Sequence, residues 1–117
     1  MGAQNYSGSC QCQAVKFETT LDLGSTMTCN CSRCQRLGWV MAFTPRDKFR
    51  LLAGEGALSQ YVFNTERIRH QFCKTCGIEP FAYGAQNGVE MAAINVNCLD
   101  EVDPRALPSK HMDGRSR

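Results

Sequence analysis

Short apolar stretches separated by turn-forming residues run through most of the chain. Many of them alternate apolar and polar positions, and no helical periodicity extends over more than two turns. This pattern is typical of a β protein in which each strand buries one face. The predicted strands cover residues 13–19, 27–30, 39–44, 49–53, 59–63, 67–72, 78–83 and 89–95.

Two local signals refine this prediction. Residues 32–38 predict a short helix that ends at Gly38, because glycine readily takes the left-handed conformation that often ends helices. The pair Asn64-Thr65 lies between two apolar strands and predicts a hairpin whose second arm leads directly to Cys73.

The length of 117 residues predicts one domain over residues 1–117, with a modest hydrophobic core. Prolines and a polar ending predict an irregular tail over residues 99–117, with one turn of helix at 104–107. A core of this size benefits from additional cross-links, which metal bound to the cysteines would supply.

Seven of the eight cysteines fall into three tight groups. The groups are Cys10-Gln11-Cys12, Cys29-Asn30-Cys31-Ser32-Arg33-Cys34 and Cys73-Lys74-Thr75-Cys76. Cysteines two or three residues apart form disulfides only with strain, whereas they readily bind one tetrahedral zinc ion through bonds of about 2.3 Å. The sequence therefore predicts zinc binding, and losing a structural zinc site would unfold a chain of this size.

Seven clustered cysteines divide naturally into four and three, since structural zinc takes four thiolates and an open site takes three protein ligands. We favour a closed site and an open one because residues two apart in a strand face the same way. The closed site has Cys10, Cys12, Cys73 and Cys76, and the open site has Cys29, Cys31 and Cys34. Spacing also allows an alternative in which the two Cys-x-x-Cys segments share one ion.

Charge and composition exclude several function classes. The formal net charge is +2, but seven thiolates and two zinc ions would bring it to about −1. Lys and Arg are scattered among acids, so we expect no nucleic-acid partner. We also expect no membrane attachment, because no apolar stretch is long enough to span a bilayer. Without an export signal at residues 1–9, clustered thiols favour the reducing cytoplasm.

The cysteine groups, together with the run Tyr61-Val62-Phe63-Asn64-Thr65, the segment 70–77 and Asn97-Cys98-Leu99-Asp100, resemble a known family. The chain is similar to the glutathione-dependent formaldehyde-activating enzymes, and in particular to the branch that contains centromere protein V. The resemblance covers residues 6–113. Where formaldehyde-activating members often have His between the first two cysteines of the second group, this chain has Asn30.

The resemblance implies a mainly β, Mss4-like, zinc-bound β-sheet fold with at most one or two short helices. It also implies a carbon-sulfur lyase that joins or splits S-hydroxymethylglutathione, with glutathione or its aldehyde adduct as the small-molecule partner. Carried over residue by residue, it implies structural zinc on the proposed closed site and a second zinc on the open one. Residues 113–117 are most simply interpreted as a mobile end, although the tail's place in the family pattern suggests that it folds back over the site or onto a second subunit of a homodimer.

An open three-thiolate zinc would bind a substrate thiol as a thiolate, which could then add to a small aldehyde. Nearby side chains are candidates for steadying the alkoxide or binding the substrate's carboxylates and apolar surface. These candidates are Asn30, Arg33, Arg36, Trp39 and Lys74. His70 and His111 are interpreted as a packed or surface residue and a solvated one.

Two other functions are consistent with the sequence. The first is a zinc-stapled interaction module without catalysis, since most thiolate-only zinc sites are structural. The second is a methionine-sulfoxide reductase that uses Cys98 as its nucleophile, although we interpret Cys98 first as a small core residue. The reductase would leave Cys10, Cys12 and Cys29 without a role.

Overall fold

Two β-sheets form the protein in a computed structural model that describes residues 2–62 and 67–116. The small sheet has the strand order β1-β2-β5, and the large sheet has the order β10-β3-β4-β9-β8-β7-β6. The strands are β1 Gln4–Ser9, β2 Lys16–Leu21, β3 Thr26–Cys29, β4 Met41–Pro45, β5 Phe49–Ala53, β6 Leu58–Tyr61, β7 Ile68–Cys73, β8 Phe81–Gln86, β9 Val89–Asn95 and β10 Ser109–Met112. In the described ranges the α-helical part is α1, Ser32–Leu37, and short 3-10 turns connect other elements.

Alternation along the strands builds the main core between the two sheets. In β2, Phe17, Thr19 and Leu21 are buried, while the residues between them are partly or fully exposed. The rings of Phe17, Phe49 and Phe81 meet at the centre, with the Phe49 and Phe81 centroids 4.6 Å apart. Burial of such aromatic surface is the main favourable contribution to folding of this region.

The second face of the large sheet carries a smaller buried cluster. Trp39, Met41 and Ala82 are its buried members, and residues of α1 and β3 pack against them. The large sheet is therefore covered on both faces, by the small sheet on one and by α1 with its neighbouring loops on part of the other. This second face positions the candidate site.

The predicted mainly β fold is confirmed, and so is the short helix, which ends at Gly38 in the left-handed conformation with φ of 71°. Strands β5 and β9 have the predicted limits. The expected hairpin pairs Tyr61 with His70 in antiparallel register, but Asn64-Thr65 and Phe63 lie outside the described residues.

Two strands were missed by the sequence analysis. The first, β1, pairs with β2 along its whole length. The other, β10, corrects the prediction of an irregular tail, because residues 109–112 pair in parallel with β3. A 3-10 turn at Pro104–Ala106 stands where one turn of helix was predicted. Within the described ranges, no helix is long and apolar enough to cross a membrane.

Candidate metal centres

Four cysteine side chains from two distant segments meet at one point, and we call them the four-cysteine cluster. Its members are Cys10, Cys12, Cys73 and Cys76, whose sulfur atoms all lie within 4.8 Å of one another. Cys10 and Cys73 are buried, and Cys12 is exposed at the rim. The amide of Val15 donates to the Cys10 sulfur at 3.4 Å.

A turn rather than a strand presents the first two thiols of this cluster. Cys10 follows β1, and the chain reverses so that the Cys10 amide donates to the Val15 carbonyl at 3.1 Å. Gln13 takes the left-handed conformation within this turn, with φ of 67°. The expectation that Cys10 and Cys12 face the same way on a strand is therefore wrong, and a tight turn brings their sulfurs together instead.

The distances between sulfurs test whether a metal fits. The Cys12 sulfur lies 3.7 Å from the sulfurs of both Cys10 and Cys73. A tetrahedral zinc with bonds of about 2.3 Å separates its sulfur ligands by about 3.8 Å, whereas a disulfide requires about 2.05 Å. All eight cysteines carry free thiols, so the four-cysteine cluster fits zinc and not a cross-link.

Three further cysteines form a separate group, the three-cysteine cluster. Its members are Cys29, Cys31 and Cys34, and their sulfur atoms also lie within 4.8 Å of one another. Cys29 ends β3, Cys31 caps the start of α1, and Cys34 lies within that helix. All three are half-buried. The two Cys-x-x-Cys segments thus contribute to different clusters, so the alternative grouping is not formed.

Backbone amides donate to two of the three sulfurs in the three-cysteine cluster. The amide of Cys31 donates to the Cys29 sulfur at 3.4 Å, and the amide of Cys34 donates to the Cys31 sulfur at 3.3 Å. Such N–H groups at the start of a helix favour negatively charged sulfur. This local geometry follows from the Cys-x-x-Cys spacing, since the first cysteine occupies the N-cap position.

Burial raises the pKa of the cluster thiols, whereas hydrogen bonds from backbone N–H groups lower it. Burial raises the pKa of Cys76, but the backbone N–H groups of Ile78 and Cys12 outweigh it and lower the pKa to about 6. In the other cluster, burial raises the pKa of Cys34 to about 12, although the neighbouring Trp39 side chain acts in the opposite direction. A bound cation would be needed to hold Cys34 as a thiolate at neutral pH.

The carboxyl-terminal tail folds back over the three-cysteine cluster. The Asn30 side chain donates to Asp113 at 3.0 Å and accepts from the Arg115 amide at 2.9 Å. Gly114 lies against Cys29 so closely that a β-carbon there would come within 2.5 Å of the Cys29 sulfur. The tail therefore covers one side of the cluster, and both polar ends of the Asn30 amide bind it.

A buried ionic network links α1 to the segment after the four-cysteine cluster. Arg33 donates to one oxygen of the Glu79 carboxylate at 2.6 Å, and the other oxygen lies 2.6 Å from Nδ1 of His70. The side chain of Glu79 is fully buried. The Arg33 guanidinium also lies 4.7 Å from the centre of the Tyr61 ring. His70 is confirmed as a packed residue, and Glu79 is the partner that the sequence analysis missed.

A cavity of about 630 Å³ opens beside α1. Its lining includes Ser32, Arg33, Arg36 and Tyr61. Arg36 is exposed and donates to the Ser32 carbonyl at 3.0 Å, so its guanidinium lies at the rim. The cavity and the three-cysteine cluster share the same helix.

The other residues predicted to bind substrate differ in their exposure and in their contacts. Trp39 was expected to offer an apolar surface to a substrate, but it is only 3% exposed and packs beneath the three-cysteine cluster. Lys74 belongs to the four-cysteine cluster's second segment and donates to the Gly56 carbonyl at 3.3 Å. His111 is exposed, as expected, and lies 2.8 Å from the Thr28 hydroxyl.

Cys98 belongs to neither cluster and packs against the main core. Burial raises its pKa to about 12, with the negative charge of neighbouring Cys10 and Cys76 acting in the same direction. A nucleophilic cysteine needs a lowered pKa and access to solvent. The arrangement thus supports the core interpretation and gives the reductase hypothesis no support.

These features define a class of small β protein in which two groups of thiols are placed to hold metal ions. The family model for the glutathione-dependent formaldehyde-activating enzyme matches residues 5–113, and the chain belongs to this family. A crystal structure of a protein from Rhodobacter sphaeroides is similar to it, with 33% sequence identity and a TM-score of 0.82. The match covers 91% of this chain and 98% of that one.

Proposed function

We propose that this protein is a zinc-dependent carbon-sulfur lyase that forms and splits adducts between a thiol and a small aldehyde. S-hydroxymethylglutathione is the example substrate that the family suggests. In this proposal the four-cysteine cluster holds a structural zinc ion and the three-cysteine cluster holds a second, labile one. The observation that carries it is a group of only three thiols at the start of α1, the helix that also borders an arginine-lined cavity.

The reaction is a balanced addition without any redox change. The thiol sulfur forms a bond to the aldehyde carbon, and the thiol proton ends on the new hydroxyl group; the reverse reaction releases the aldehyde. A zinc ion held by Cys29, Cys31 and Cys34 would supply a position at which a substrate thiol stays deprotonated at neutral pH. In this proposal the side chains around the cavity bind and orient the substrate.

Two arginines have different roles in this proposal. Arg36 lies exposed at the cavity rim, where its guanidinium can bind a carboxylate of a peptide-like thiol. Arg33 is committed to Glu79, so it holds α1 in place and presents only its remaining surface beside Tyr61. Asn30 is committed to the tail and therefore acts as part of the site's wall.

NMR exchange spectroscopy of glutathione and formaldehyde tests this function directly. With zinc-loaded protein, we expect faster exchange between free glutathione and its hydroxymethyl adduct than in buffer alone. Cys31→Ser should abolish the acceleration, and Cys98→Ala should leave it unchanged because that thiol lies outside both clusters. Unchanged exchange with the parent protein, with two ions bound, would instead favour the non-catalytic module.

The proposal also includes the cellular location and the oligomeric state of the protein. Eight free thiols are consistent with the reducing cytoplasm, where disulfides are rare. A homodimer stays a prediction, and light scattering of the purified protein measures it.

A further inference from the structure

The Trp39 side chain holds a buried polar group that the proposed function does not use. Its indole nitrogen is the one buried side-chain nitrogen or oxygen in the described ranges without a hydrogen bond of ordinary geometry. Buried donors are almost always paired, and an unpaired one requires a reason. The residue as a whole is only 3% exposed, so bulk solvent does not reach the group.

The polar groups that pack against the buried cluster of this indole are two thiols of the three-cysteine cluster, Cys29 and Cys34. Cys34 packs against the buried cluster that Trp39 and Met41 form on the second face of the large sheet. A neutral thiol is a weak acceptor, whereas a thiolate is a strong one.

The other two sulfurs of the three-cysteine cluster show why a donor is needed here. Cys29 and Cys31 each accept from a backbone amide. Among the described residues, no backbone amide donates to the Cys34 sulfur, because its position inside α1 leaves the nearby amides committed to the helix. The indole N–H occupies the place of that third donor.

We propose that Trp39 is a positioning residue whose indole N–H donates to the sulfur of Cys34 and holds it toward the second metal ion. This inference rests on the proposed function for the presence of that ion. The N–H group disperses the negative charge that accumulates when three thiolates share one divalent cation. Trp39 thereby completes a set in which every sulfur of the cluster has at least one N–H donor.

Cobalt binding tests the inference without measuring activity. Co²⁺ is titrated into the protein as purified, against a chromophoric chelator, while the sulfur-to-cobalt charge-transfer band is recorded. In Trp39→Phe, we expect the affinity for the second ion to fall by about tenfold, the lower end of the range for outer-shell partners. The band should shift to lower energy, because a thiolate without the N–H gives up its electrons more easily.

Two variants separate the donor from the packing. Replacing Trp39 by 3-benzothienylalanine keeps the shape of the indole and removes the N–H, so it should reproduce the spectral shift. Met41→Leu changes the same buried cluster without touching a donor and should bind cobalt like the parent. The single tryptophan also reports the binding, since cobalt at this cluster should quench its fluorescence.

The outcomes separate this inference from the function on which it rests. If the parent takes up only one equivalent of cobalt, the second ion is absent and both proposals fall. If the parent takes up two and the benzothienyl variant matches it in affinity and band position, the donor role of Trp39 is wrong while the metal site stands. A shift in Met41→Leu equal to that in Trp39→Phe would also overturn the donor role.

Discussion

The two cysteine clusters differ in how the chain builds them. The four-cysteine cluster joins the turn after β1 to the end of β7, so its thiols come from segments 61 residues apart, and two of its members are buried. The three-cysteine cluster comes from one short stretch at the end of β3 and the start of α1, and all its members are half-buried.

This difference indicates a division of labour. A metal ion that joins distant segments closes a long loop and therefore adds directly to folding stability. A metal ion bound within a single short stretch closes little of the chain, so it can leave without unfolding the protein. Ligand number is consistent with this reading, since four thiols complete a tetrahedron and three leave a position for a substrate.

The largest effect is expected from Cys76→Ser. Structural zinc contributes about 10 kcal/mol or more of apparent binding free energy, comparable to the whole stability of a domain of this size. We expect the variant to lose its folded circular-dichroism spectrum and its cooperative thermal transition. Cys98→Ala, outside both clusters, is the control. If Cys76→Ser melts at the same temperature as the parent, the four-cysteine cluster does not have the structural role that distinguishes it from the three-cysteine cluster.

The next effect is expected from Glu79→Gln, which removes the charge that links α1 to the segment after Cys76. Breaking a buried ion pair by removing one partner costs about 3–5 kcal/mol, because Arg33 loses its counter-charge. Urea unfolding measures this cost. Glu90→Gln is a matched control, since its pair with Arg69 is exposed and should change stability by less than about 1 kcal/mol. Equal costs for both variants would show that the buried Glu79 pair adds no more to stability than the exposed pair does.

A smaller effect on stability is expected from Cys31→Ser. Serine is itself a good N-cap, so it can accept from the Cys34 amide in place of the thiol. We expect a folded protein whose unfolding free energy changes by about 1 kcal/mol or less, and which carries one zinc ion per chain fewer by elemental analysis. If this variant unfolds as thoroughly as Cys76→Ser does, the division of labour is wrong.

The smallest effect on global stability is expected from Gly114→Ala. The added β-carbon would overlap the Cys29 sulfur, so the tail should detach from the three-cysteine cluster while the sheets stay intact. Limited trypsin digestion should then cut after Arg115 faster than in the parent. Gly56→Ala is the control, because no atom lies within 4 Å of the β-carbon that it adds. Equal digestion rates in the parent and in Gly114→Ala would show that the tail contact is not tight.

The central strands could be predicted because their side chains alternate between core and solvent. The predictions failed for strands that form because a neighbouring strand pairs with them, and not because their own side chains alternate. β1 is largely polar, Gln-Asn-Tyr-Ser-Gly-Ser, and it forms a strand because β2 offers a complete antiparallel register. β10 is mostly exposed and is held by β3, with Thr26 donating to the Pro108 carbonyl at 2.7 Å. Such edge strands have no alternating pattern from which they could be predicted.

The cysteine groups could be predicted from spacing, whereas the network beneath them could not. Glu79 stands between Ile78 and Pro80 in an apolar segment, and an acid in such a place is a signal of a buried, paired charge. Its partners come from residues 9 and 46 positions away, which no local pattern shows. The role of Trp39 likewise depends on which face of the sheet it covers.

The parallel pairing of β10 with β3 has a practical consequence for anyone who produces this protein. It brings Gly114 against Cys29. A histidine tag fused after residue 117 would therefore add imidazole groups close to thiols that are placed to hold metal. Imidazole binds zinc well and would compete for the ion. An affinity tag at the amino end, next to β1 in the other sheet, avoids this artefact.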